Sequence, residues 1–142
     1  MTEPSDPFGL QRFVDAQSPV FETVLRELCA GRKASHWMWF VFPQIAGLGS
    51  SPMAQRYAIG SIEEARAYLD HPVLGPRLKA CAAALLDVSG RSAHEIFGSP
   101  DDVKLRSSLT LFAAAAPDEP LFTRALDRFF DGRKDPATLE RL

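Results

Sequence analysis

Between Gly31 and Gln44 the chain reads Gly-Arg-Lys-Ala-Ser-His-Trp-Met-Trp-Phe-Val-Phe-Pro-Gln. Two tryptophans, Trp37 and Trp39, stand two residues apart. Around them are side chains able to hydrogen-bond: His36, Gln44 and, upstream, Arg32. An indole face stacks on a planar ring, and a few polar groups then fix the ring's orientation. The segment thus has the composition of one wall of a ligand pocket. The competing reading is structural, with Trp37, Phe40 and Val41 in the core and the rest serving as helix entry. In a helix the two indoles point about 200° apart, so one face takes only one of them. A lone histidine is more often a structural residue than a base, which weighs against catalysis by His36.

Two further groups are candidates. The loop Ala46-Gly47-Leu48-Gly49-Ser50-Ser51-Pro52 runs into a Ser-Pro helix start, with Arg56 and Tyr57 one turn onward. Backbone N–H groups near Gly49 and Ser51 would suit an anion. The loop lacks the Gly-Lys-Ser/Thr ending of a nucleotide-binding P-loop, and a plain connector is the alternative. Farther on, Asp101 and Asp102 suit the first turn of a helix. Lys104, Ser107 and Ser108 follow on a common side and would line a cleft. No base stands within sequence reach of Ser107. His36, His71 and His94 are too widely spaced for a metal site, so neither metal nor cofactor is expected.

The elements that must position these residues read as helices. Ser or Asp precedes Pro at Ser18-Pro19, Ser51-Pro52, Ser99-Pro100 and Asp135-Pro136, each an N-cap acceptor followed by a ring that fits the first turn. Ser61 with Glu64 and Ser92 with Glu95 match capping boxes. Gly31, Gly90, Gly98 and Gly132 follow apolar segments, where a helix C-terminus wants positive φ. No stretch alternates as a half-buried strand would. The run Trp37–Phe42 has aromatic and β-branched content that also suits a strand, and its helical context favours a short buried helix ended by Pro43. The expectation is an all-α single domain over residues 1–142, of about seven to nine short and medium helices packed as antiparallel pairs. Residues 1–7 would be a flexible N-terminal tail. Phe13, Leu25, Leu28, Leu69, Leu85, Leu105, Leu109, Phe112, Leu126 and Phe129 share helical faces and should form the core.

Composition narrows the function classes. With 142 residues, 46% apolar and 24% charged, the chain can bury a proper core. A net charge of −2 leaves no positive excess for general nucleic-acid binding. The longest apolar run is too short to span a bilayer. The N-terminus lacks the basic and apolar regions of a signal peptide, so a cytoplasmic location is expected. Cys29 and Cys81 sit in apolar, helix-like settings and are expected as buried free thiols.

The aromatic segment from Gly31 to Gln44 combines with Gly47-Leu48-Gly49-Ser50-Ser51, Tyr68-Leu69-Asp70-His71-Pro72-Val73-Leu74-Gly75 and Ile96-Phe97-Gly98-Ser99-Pro100-Asp101-Asp102-Val103-Lys104-Leu105. Together with Asp6-Pro7-Phe8 and Leu10-Gln11-Arg12-Phe13, these strongly resemble the DUF1810 family over nearly the whole chain. The resemblance implies a small, mostly helical, bacterial-type domain. It implies no activity, because the family is named for an unknown function. Ser51-Pro52-Met53-Ala54 and Val103-Lys104 ahead of Leu109 and Phe112 are similar to NADAR proteins, helical domains linked to ADP-ribose or glycosidic chemistry. The first reading is therefore a domain binding a small planar or anionic ligand near the tryptophan segment. A rival is a NADAR-like enzyme hydrolysing an N-glycosidic bond in a nucleotide-type substrate, with Lys104 and Arg56 holding phosphates. A third is a protein-interaction adaptor without a pocket.

Overall fold

A helix that is buried on every side must be enclosed by others, and the segment from Asp101 to Ala115 is so from Ser107 onward. Leu105, every residue from Ser107 to Ala113, and Ala115 are buried along it. The computed structural model describes residues 6–142, and this helix, α8 (Asp101–Ala115), is its axis. Before it come α1 (Gln11–Gln17), α2 (Phe21–Cys29), α3 (Met38–Val41), α4 (Pro52–Arg56), α5 (Ile62–Asp70), α6 (Leu74–Asp87) and α7 (Ala93–Phe97). After it come α9 (Pro120–Phe130) and α10 (Pro136–Leu139). Helices α5, α7, α9 and α10 pack on α8, while α6 joins α2, α5 and α9, and α3 rests on α1. Among the described residues there are ten helices and no strand, one helix more than the upper bound expected. A single parallel bridge, Ile45 to Ile59, is the exception to helical pairing.

Aromatic side chains bind these layers. Tyr68 on α5 meets Phe13 edge-on at 5.1 Å and Phe112 at 5.3 Å, and Phe112 meets Phe122 at 5.9 Å. Such pairs add about 0.5–1.5 kcal/mol beyond their area. The buried Gln17 spans the same region, donating to the Phe40 carbonyl at 2.6 Å and the Tyr68 hydroxyl at 2.8 Å. Burial pushes the Tyr68 hydroxyl well above its ordinary pKa.

Several local expectations require correction. The Trp37–Phe42 run does form a helix, but only Met38–Val41 is helical. Ser51 caps α4, accepting from Ala54 N–H with Pro52 in the first turn. Neither Ser18 nor Ser99 is an N-cap: Ser18 closes α1 while α2 starts after Val20, and Pro100 itself occupies the N-cap of α8. Ser92 and Glu95 form the full reciprocal box. Ser61 caps α5, whereas Glu64 reaches past it to the N–H of Gly60 and to Arg12. The long-range guanidinium is a stronger partner than the local amide. Leu25, Leu69 and Phe129 lie at the edge of the core rather than inside it. Cys81 is buried, with its thiol pushed up to about 12 by desolvation, but Cys29 is exposed. Residues 1–5 of the expected tail lie outside the described residues. Asp6 accepts from the N–H groups of Leu10 and Gln11, tying the chain to the start of α1.

Candidate functional site

The approach to the tryptophans is held by a residue that the sequence reading passed over. Glu27, in the last turn of α2, accepts from the N–H groups of Ala34 and Ser35, the Ser35 hydroxyl and the Trp37 indole at 2.6–2.9 Å. Burial, the largest single influence on this carboxyl, disfavours its charge. The hydrogen bonds together outweigh it and hold the pKa at about 2, against 4.5 ordinarily. An acid in the last turn of a helix opposes the dipole, and that misplacement was a legible hint of a partner beyond Gly31. Lys33 completes the staple. Its ammonium donates to the Ser35 carbonyl, pairs with Asp101 at 2.9 Å and lies 5.1 Å from the Trp37 ring centre.

Trp37 is consequently sealed, at 1% exposure, edge-on to Phe97. Trp39 is half-buried, with the Lys104 ammonium 5.4 Å from its ring centre. Lys104 also lies 3.7 Å from Asp101. Asp101 thus stands between two lysines, each over a tryptophan, an arrangement that fastens α3 to the start of α8. His36 and Arg32 are exposed. Ser107 is buried and its hydroxyl donates to the Asp135 carboxylate at 2.9 Å. Asp135 also receives the Thr138 hydroxyl, so this acid links α8 to α10 instead of capping α10 with its side chain.

A concave site lies just beyond the aromatic run. A depression of about 230 Å³ is lined by Gln44, Ile45, Ala46, Gly47, Gly49, Ala54, Gln55 and Ala58. Its frame is the Ile45–Ile59 bridge, where Ile59 N–H donates to the Gln44 carbonyl and Ala46 N–H to the Ile59 carbonyl. Arg12 braces the wall at Ala58. Its guanidinium donates to five acceptors: the carbonyls of Phe8, Gly9, Arg56 and Ala58, and Glu64. Gln55 donates to the Ser50 carbonyl, which closes the Gly49–Ser51 turn over α4. Gly49 admits no side chain, because a Cβ there would stand 2.6 Å from that of Ala54. The side-chain amide of Gln44, half-buried, makes no hydrogen bond among the described residues.

The eleven residues singled out from sequence therefore fall into separate places. Gln44 and Gly49 line the depression, and Ser51 caps the helix that forms its edge. Arg56 is exposed beside the buried ring of Tyr57, 5.5 Å from its centre. Trp37, Trp39, Lys104 and Ser107 belong to the α3–α8–α10 contacts, and Arg32 and His36 face solvent. Among the described residues no cluster of His, Cys, Asp or Glu could hold a metal ion, and no helix is long and apolar enough to cross a membrane.

A family model described as "Protein of unknown function (DUF1810)" matches residues 7–142. The chain belongs to the DUF1810 family. A crystal structure of the conserved hypothetical protein Rv1873 from Mycobacterium tuberculosis is similar throughout, at 56% identity and a TM-score of 0.95. The similarity covers 96% of this chain and 98% of that one. No curated protein matches the chain. In this DUF1810 member the sealed tryptophan staple and the depression lie in neighbouring parts of the chain.

Proposed function

We propose that this DUF1810 domain binds a small planar ligand, seated in the depression between Gln44 and Ala58. The observation that carries the reading is Gln44, a lining residue of the depression whose side-chain amide has no protein partner among the described residues. A primary amide presents one acceptor and two donors in a plane, the complement of a heterocyclic or carboxamide edge. Ile45, Ala46, Ala54 and Ala58 supply apolar walls, and the glycines allow close approach. At about 230 Å³ the space is below the ~300–1,000 Å³ of drug-sized sites. It suits one ring, with any remainder of the ligand outside.

Recognition fits this lining better than catalysis. None of its side chains ionises, and Lys104 and Ser107, the groups wanted for chemistry on a nucleotide, are engaged with Asp101, Trp39 and Asp135. The free thiols of Cys29 and Cys81 suit a reducing cytoplasm. The test is a melting-temperature screen of single-ring heterocycles against the parent chain and Gln44→Ala. The reading expects ring-dependent stabilisation in the parent that Gln44→Ala abolishes, with unliganded stability changed by less than about 1 kcal/mol. A response of equal size in Gln44→Ala would refute it.

A further inference from the structure

Two guanidinium groups touch the walls of the depression, and they differ in what they have left to offer. Arg12, behind Ala58, gives its donors to five protein acceptors. Arg141, beside Gly47, is exposed and makes two hydrogen bonds among the described residues, both to carbonyls: Ala137 at 3.0 Å and Gly47 at a long 3.4 Å. A guanidinium carries five N–H donors in a fixed fork. Among the described residues Arg141 therefore keeps most of its donors, and all of its charge, free of protein partners. No acidic side chain pairs with it among the described residues.

Gly47 makes this placement possible. Its φ of +97° is a conformation that side-chain-bearing residues rarely adopt. A Cβ there would also stand 2.8 Å from Arg141 Nε. The glycine lets the Arg141 side chain approach closely to a residue that lines the depression. The arginine itself is outside the lining, so it would meet the part of a ligand that protrudes from the ring seat.

We infer that the ligand carries an anionic group, a phosphate or carboxylate attached to the seated ring, and that Arg141 receives it. The inference rests on the ring seat proposed above and adds its charge requirement. An uncommitted fork matches the paired oxygens of either anion, a geometry that lysine does not reproduce. The rest of the lining is uncharged, so Arg141 would set the preference for an acid over its neutral counterpart.

The experiment is calorimetric titration of the intact chain with two matched sets of probes. One set is uracil, uridine and uridine monophosphate, and the other is nicotinamide and nicotinate. In the parent, at least one charged member should bind about tenfold tighter than its neutral partner, the scale of one charge-assisted contact. Which set shows the gain identifies phosphate or carboxylate as the source. Arg141→Gln should reduce that gain to less than about threefold and leave the affinity of the neutral ring unchanged. Arg141→Lys should retain only part of it, and raised salt should shrink it in the parent. Melting of the unliganded variants, expected to match the parent, separates lost binding from lost folding. Neutral rings that bind while neither charged partner gains would overturn the role of Arg141 and leave the ring seat standing. A charge gain that persists in Arg141→Gln would do the same. Absence of binding by all five probes would overturn the ring seat and the inference together.

Discussion

Glu27 shows how one carboxylate can fix a functional segment without touching a ligand. It gathers two backbone amides, a hydroxyl and an indole, and so sets the course of the chain from Gly31 to Trp37. Its folded pKa of about 2 lies below the ordinary 4.5, so the folded state binds the proton more weakly than the unfolded state. The stabilisation is complete above about pH 4.5 and is lost as pH falls through about 2. Glu27→Gln, which exchanges an acceptor for a donor facing donors, should cost about 2 kcal/mol near neutral pH after allowance for solvent screening. Urea unfolding between pH 2 and 6 checks this. The parent should weaken more steeply with acid than the variant, and parallel curves would show that Glu27 does not titrate with folding. At this scale the sequence was only partly readable. The polar character of Gln44 and the small size of Gly49 are visible as residue types. Arg12 and Glu27 work through partners that only the fold brings near. Ser107 looked like a free hydroxyl because its acceptor, Asp135, lies on another helix.

Helix boundaries depend on local chemistry, and packing between helices overrules it in identifiable places. The Ser51-Pro52 and Ser92/Glu95 signals act locally and give α4 and α7 their starts. The Ser18 and Ser99 signals do not, since the helices that follow begin one or more residues beyond their prolines. At Asp135 and Glu64 a long-range partner captures the side chain that a cap would have used. The turn from α5 to α6 is set by closeness of approach. A Cβ on Gly75 would overlap the Leu69 carbonyl oxygen, so these helices meet only because position 75 has no side chain. Gly75→Ala gains about 1 kcal/mol of helix propensity and should nevertheless lose 2 kcal/mol or more, as overpacking against rigid backbone does. Chemical denaturation measures the balance, and net stabilisation would show that the α5–α6 contact is slack.

The whole molecule is organised around α8, and the all-α class was legible because helical punctuation recurs along the chain while alternation is missing. Core depth was less legible, because periodicity marks a face without saying how much covers it. Phe112 and Phe129 look equivalent in sequence, yet Phe112 is fully enclosed by Tyr68 and Phe122 and Phe129 sits at the margin. Phe112→Ala should cost about 3–5 kcal/mol, and Phe129→Ala clearly less, in equilibrium unfolding. Equal losses would mean that α9 is buried more deeply than described. The tryptophan segment was the strongest signal in the sequence, and it divides by role: Trp37 seals the core, Trp39 braces α8, and Gln44 alone reaches the depression. On the function proposed above, a ligand sits at Gln44–Ala58 and leaves the tryptophans undisturbed. The most direct test is a ¹⁵N–¹H correlation spectrum of the labelled chain titrated with uracil. Shifts are expected at the Gln44 side-chain amide and the backbone of Gly47, Gly49, Ala54 and Gln55, with both indole N–H signals fixed. Shifts centred on the Trp39 indole and Lys104, with the Gln44 amide unmoved, would contradict it.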